Sequence, residues 1–127
     1  MIAVDTSAVM AVLQAEPEED KFIQLLNRSD CCLPASVIVE ANILSVSRGL
    51  QKDLQEFLHV LGAAIISLDE TIAQRAVDAY VRYGKGRHKA SLNFGDCLVY
   101  ATAQHLNVPL LCKGNDFIHT DVQLVSA

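Results

Sequence analysis

The stretch Ile2-Ala3-Val4-Asp5-Thr6-Ser7-Ala8 is a short apolar run that stops at a carboxylate and two hydroxyls and leads directly into Ala8 to Leu13. It reads as a buried strand feeding a helix. The same alternation recurs along the chain. Cys31 to Leu33, closed by Pro34, is a second short strand, Ala63 to Leu68 a third and Val108 to Cys112 a fourth, while Val122 to Val125 adds a short fifth at an edge. Helices fill the gaps. Pro17 at a first helical position, followed by Glu18, Glu19 and Asp20, starts one that carries Phe22, Leu25 and Leu26. Ser36 is read as the cap of a helix through Arg48, with Gly49 as its stop. Leu54, Phe57, Leu58 and Leu61 share one face of the next, which ends at Gly62. Asp69 caps a helix whose Ile72, Ala76, Tyr80 and Tyr83 align, and Asn93 caps a last one from Phe94 to Leu106.

Strands alternating with helices throughout predict an α/β fold, a mainly parallel sheet of four to five strands covered on both faces. The 127 residues suit one domain, and 51% hydrophobic with 20% charged residues is the composition of a chain with a core. The longest apolar run, Val60 to Ile66, ends after seven residues. A membrane helix needs about 18, so no membrane span is expected. The opening carries no basic segment or cleavable apolar stretch, so no secretory signal is expected and the cytoplasm is the expected location. Cys31, Cys32, Cys97 and Cys112 lie in apolar stretches without a C-x-x-C pair and read as buried reduced thiols, which sets redox and zinc chemistry aside.

Ten Lys and Arg against fifteen Asp and Glu leave a net charge of -5, which argues against a protein that coats polyanions nonspecifically. The basic residues are nevertheless clustered. Arg82, Lys85, Arg87 and Lys89, with His88 among them and Gly84 and Gly86 opening the loop, form a local patch that suits phosphate, or else a solvated charged loop.

The acids are more informative. In open parallel sheets, ligands bind beyond the carboxyl ends of the strands. Asp5 follows the first strand and Asp116 follows the fourth. Glu40 lies inside a helix among Ile38, Val39, Ala41, Ile43 and Leu44, where an ionised carboxylate is costly unless paired or bound to a metal. Asp96 stands in the first turn after Asn93. Each has a plain structural use as well: Asp5 as a helix cap, Asp116 as a turn residue, Glu40 reaching solvent or an arginine, and Asp96 complementing a helix dipole. Taken together, several carboxylates crowd one end of a small sheet, and their mutual repulsion calls for a cation. Oxygen-only ligands suit Mg2+ or Mn2+, and such a cluster, holding one or two ions, activates water and stabilises phosphoryl transfer.

The segments Met1 to Ala8, a helical Glu40, Leu92-Asn93-Phe94-Gly95-Asp96-Cys97, Tyr83-Gly84-Lys85-Gly86-Arg87-His88 and Leu110-Leu111-Cys112-Lys113-Gly114-Asn115-Asp116-Phe117 with Thr120-Asp121 resemble a PIN-domain ribonuclease of the VapC toxin type. The resemblance spans essentially the whole chain. It implies an α/β/α sandwich and Mg2+- or Mn2+-dependent endonucleolytic cleavage of RNA. Asp5, Glu40 and Asp96 match the metal-binding acids, and Thr6 or Ser7 matches the hydroxyl beside the first. Asp116 is the choice for the fourth acid, with Asn115 or Asp121 sharing or replacing it. The resemblance also implies a homodimer and a VapB-type antitoxin whose tail lies in the active-site groove. DNA is expected to be met only indirectly, through that antitoxin. Arg82, Lys85, Arg87 and Lys89 are the candidates for gripping RNA.

Two other readings compete. A phosphatase of the HAD type also places an aspartate after its first strand, but Ser at position 7 leaves its D-x-D pair incomplete. A catalytically inactive PIN-like protein-binding module would use the same acids merely as caps.

Overall fold

A computed structural model describes residues 1–125 of the chain. Four strands, β1 (Ile2–Val4), β2 (Cys31–Pro34), β3 (Ala64–Ile66) and β4 (Leu110–Leu111), pair in the order β3-β2-β1-β4, and every pairing is parallel. The register sets Ile2 opposite Cys31, Ala3 opposite Leu110 and Cys32 opposite Ala64. Ile2, Ala3 and Val4 are all buried, as a central strand covered on both faces must be. Edge strand β3 is more open, and Ile65 is 53% exposed.

Helices α1 (Thr6–Leu13) and α2 (Glu19–Asn27) connect β1 to β2, and α3 (Ala35–Arg48) with α4 (Gln51–Leu61) connects β2 to β3. The chain then returns through α5 (Glu70–Tyr83) and α6 (Phe94–Leu106) to β4, on the far side of β1. Right-handed crossovers put helices reached in opposite directions on opposite faces, which makes the three-layer sandwich. Consistently, α1 packs on α2, α3 and α4, while α5 packs most extensively on α6. Val4, Val9, Leu33, Leu54, Ile72, Val99, Leu110 and Phe117 fill the core between the layers. Cys31, Cys32 and Cys97 are buried free thiols, as their apolar surroundings predicted, whereas Cys112, expected to be buried as well, is only half-buried.

Several caps fall where expected. Asp69 accepts from the Ile72 N–H at 2.8 Å, and Asn93 forms a reciprocal capping box with Asp96. Gly49 and Gly62 end α3 and α4 in the left-handed conformation at φ 69° and 57°. Three expectations need correction. The fifth strand at Val122 to Val125 shrinks to a single parallel bridge between Leu110 and Leu124, because β4 itself spans two residues and offers little ladder. Ser36 is not a cap: α3 begins at Ala35 behind Pro34, and the Ser36 hydroxyl lies inside the first turn with no partner. Pro17 sits in the turn before α2, which starts only at Glu19.

This topology has one switch point. From β1 the chain leaves toward β2 on one side, and β4 arrives on the other, so a crevice opens beyond the carboxyl ends of β1 and β4.

Candidate active site

The crevice is a pocket of about 460 Å³ whose lining includes Asp5, Glu40, Asp96 and Asp116. Each arrives by a different route. Asp5 is the residue after β1 and the N-cap of α1; its N–H donates to the Leu111 carbonyl at 2.9 Å, which ties it to the end of β4. Asp96 occupies the third position of α6, where its Oδ2 accepts from the Asn93 N–H at 3.1 Å. Glu40 projects from the middle of α3, and α3 packs against α6, so its Oε2 lies close over Gly95. Asp116 comes from the turn after β4.

Asp5 is buried, and burial raises its pKa, with the Glu40 charge adding to the rise. Two bonds from Ser7 oppose that shift: the Ser7 hydroxyl donates to Asp5 Oδ2 at 2.5 Å, and the Ser7 N–H donates to the same oxygen at 3.1 Å. Ser7 Oγ also accepts from the Lys113 N–H at 2.9 Å, so one hydroxyl links both strand ends to the acid. Burial pushes Asp96 up to about 6, and Asp116, Asp5 and Glu40 push the same way against the Asn93 hydrogen bond. The Cys112 thiol is pushed up to about 12, by burial first and then by Asp5, Asp116 and Asp96. Three of the acids thus act on one thiol, which shows how concentrated the negative charge is.

The reading of Glu40 needs correction in its premise. Glu40 is exposed, and its apolar neighbours Val39 and Ile43 are 60% and 64% exposed, so no burial cost forces a partner on it. It joins the other acids through helix packing instead. Asp121 stands apart from the pocket: it accepts from Tyr100, from Gln104 at 3.1 Å and from Arg82 at 3.2 Å. Asn115 is outside the lining as well. None of Arg82, Lys85, Arg87 and Lys89 reaches the pocket. Arg82 is paired with Asp121 and stacked 4.7 Å over the Tyr83 ring, and Arg87 Nε donates to the Val81 carbonyl. Lys85 and Lys89 point to solvent.

Residues passed over in the sequence complete the lining: Met10, Gln14, Glu16, Leu44, Arg48, Lys113 and Gly114. The helical spacing of Glu40, Leu44 and Arg48, at i, i+4 and i+8, was the available signal for the α3 stripe. Lys113 makes ion pairs with Glu16 and, at 3.4 Å, with Glu18.

Among the described residues, no three His, Cys, Asp or Glu side chains stand close enough as placed to hold a metal ion. The donor chemistry nonetheless suits a hard divalent cation. The four acids supply only oxygen, none of them is ion-paired among the described residues, and the buried Thr6 Oγ1 beside them has no partner. Mg2+ keeps several waters and takes only one or two carboxylates directly, so spaced acids remain compatible with it.

A parallel α/β sandwich with acids gathered at its switch point is the architecture of a PIN domain, and residues 2–123 match that family. Across 133 aligned residues the chain is 36% identical to ribonuclease VapC30 of Mycobacterium tuberculosis, covering 98% of each. The chain belongs to the PIN-domain family and, within it, to the VapC group. Solved structures share its fold. VapC20 of Mycobacterium tuberculosis, a sarcin-ricin loop cleaving toxin, superposes with a TM-score of 0.81 at 16% identity over 100% of both chains. VapBC2 from Rickettsia felis, bound to a DNA fragment from their promoter, gives 0.75 at 13% identity over 99% of this chain and 98% of the other.

Proposed function

We propose that the chain is a single PIN-like domain, residues 1–127, acting in the cytoplasm as the toxin of a VapBC-type pair: an endoribonuclease that depends on Mg2+ or Mn2+ and is restrained by a VapB-type antitoxin. The observation that carries this reading is the convergence of Asp5, Glu40, Asp96 and Asp116 on one pocket at the switch point, none of the four ion-paired among the described residues. Kinship with VapC ribonucleases supports it.

Those four acids would hold the cation. When bound, a divalent ion lowers the pKa of water and offsets the charge that builds on the phosphate. The chain's own residues prepare the place. Ser7 fixes the Asp5 carboxylate, Asn93 fixes Asp96, and Gly95 leaves room for Glu40. The buried Thr6 hydroxyl, without a partner among the described residues, would orient a phosphate oxygen or water in the pocket.

The loop carrying Lys85 and Lys89 closes through a bridge between Gly84 and Leu92, immediately before the cap of α6, and these two exposed lysines would serve as outer RNA-backbone contacts. Arg82 and Arg87 would join them only by exchanging their present partners. A homodimer fits an apolar surface beside the pocket, where Phe94 is 81% exposed next to Ile43 and Leu68. Any DNA contact would come through the antitoxin.

A catalytically silent protein-binding domain is the second reading, and the capping roles of Asp5 at α1 and Asp96 at α6 favour it. Purified protein without antitoxin, incubated with total cellular RNA in Mg2+, Mn2+ or EDTA beside Asp5→Asn, separates the two. Discrete fragments that need metal and vanish in the variant are expected. Absence of cleavage, or equal cleavage by the variant, would favour the silent domain.

A further inference from the structure

Five carboxylates and two cations line the pocket, and the two cations are not equivalent. Lys113 is fully compensated: Glu16 and Glu18 both pair with its ammonium. Arg48, in the last turn of α3, has only a neutral partner, donating from Nη1 to the Gln14 side-chain carbonyl at 2.9 Å. It makes no ion pair among the described residues. The amide holds the guanidinium in place without cancelling its charge, and the remaining N–H donors of the fork are left for another acceptor.

Position decides which acceptor. Glu40, Leu44 and Arg48 follow one stripe of α3 along the pocket. Eight residues of helix set Arg48 about 12 Å along the axis from Glu40. That is too far to serve the phosphate held at the acids, but it is in line for a neighbouring one. An uncompensated guanidinium at one end of a strongly acidic groove offsets the repulsion that a polyanion would otherwise meet there. The arginines of the basic patch make poorer anchors, since Arg82, in the last turn of α5, is already neutralised by Asp121 and none of Arg82, Lys85, Arg87 and Lys89 lines the pocket.

We propose that Arg48 binds a backbone phosphate of the RNA flanking the scissile bond, with Gln14 as the residue that positions it. This rests on the ribonuclease reading and names a phosphate contact for the same groove.

The test measures binding of a labelled single-stranded RNA of mixed sequence to Asp5→Asn protein across a salt series, alone and combined with Arg48→Gln or Arg48→Lys. Removing one phosphate contact on a single strand should reduce the slope of log K against log salt by about 0.7. Arg48→Lys should restore most of it. In cleavage assays with otherwise unaltered protein, Arg48→Gln should raise KM several-fold and leave kcat nearly unchanged. An unchanged salt slope in Arg48→Gln, with wild-type protein cleaving normally, would overturn this proposal and leave the ribonuclease reading standing. A loss that Arg48→Lys fails to restore, accompanied by a lowered melting temperature, would also overturn it in favour of a structural role. RNA that neither binds nor is cut would sink both readings together.

Discussion

A Cβ on Gly95 would stand 3.0 Å from Oε2 of Glu40, so the absence of a side chain at one position of α6 is what admits an acid from α3 to the pocket. Gly95→Ala tests this. Alanine suits a helix better than glycine by about 0.5–1 kcal/mol, and the Glu40 carboxylate ends a flexible side chain that can swing away. The variant should melt at or above the wild-type temperature while cleaving RNA about ten- to a hundredfold more slowly. Full activity in Gly95→Ala would show that Glu40 need not occupy its observed place.

Burial makes the charge of Asp96 costly to the fold. Its pKa is raised from 3.8 to about 6, by burial first. Below the lower value the group is protonated whether folded or unfolded, and above the higher value it is ionised in both. The folded state therefore loses stability from this group as pH climbs between them and carries the full penalty above about pH 6. Asp96→Asn keeps an oxygen for the Asn93 N–H and removes the charge. At pH 7 in EDTA it should be more stable than wild type by about 1 kcal/mol, after allowance for solvent screening, with the gain fading toward pH 4. Cleavage should be lost. A chemical melt showing strong destabilisation would make Asp96 chiefly a cap.

Asp116 and Asp121 compete for the fourth acidic place, and the structure separates their surroundings. Asp116 lines the pocket, whereas Asp121 is held by Tyr100, Arg82 and Gln104. Asp116→Asn should lower kcat by about a hundredfold or more with little change in stability. Asp121→Asn should do the reverse. The Tyr100 hydroxyl bond, then Arg82, holds the Asp121 pKa low. Its contribution to stability is therefore present above the ordinary carboxyl value and disappears as pH falls through its own lower one. The stability gap between wild type and Asp121→Asn should narrow in acid. Loss of activity in a well-folded Asp121→Asn protein would reverse the assignment.

Phe94 is 81% exposed at the first position of α6, beside Leu98 and the outward face of α3. Aspartate is well tolerated in a first helical turn, where it complements the dipole, so Phe94→Asp should fold. Light scattering after gel filtration should show wild-type dimers and variant monomers. A wild-type protein that is monomeric at micromolar concentration would assign this face to another partner.

The layer order and the local caps were legible along the chain because they depend on neighbours in sequence. Ile2 to Val4 alternates with nothing polar, which marks a strand covered on both faces, and Asp69 and Asn93 sit where a helix needs an acceptor. Element ends were less legible. The fifth strand faded because its partner β4 is two residues long, and Ser36 lost the capping position because Pro34 turns the chain into α3 one residue earlier. The acids Asp5 and Asp96 were readable as the residues following a strand and opening a helix. Glu40 was singled out by an argument from burial that its exposed position does not meet.

Periodicity and strand-end chemistry in the sequence alone determined a parallel α/β chain with carboxylates at one end of its sheet, since both are properties of residues within a turn or two of one another. Tertiary structure alone decided which charges share a pocket. The β3-β2-β1-β4 order brings Lys113 to Ser7 across 106 residues, α3 against α6 brings Glu40 to Gly95, and Arg82 is paired with Asp121 while none of Arg82, Lys85, Arg87 and Lys89 lines the acidic pocket. Coulomb interactions depend on distance through space, and spacing along the chain does not reveal that distance until strand order and helix packing are known.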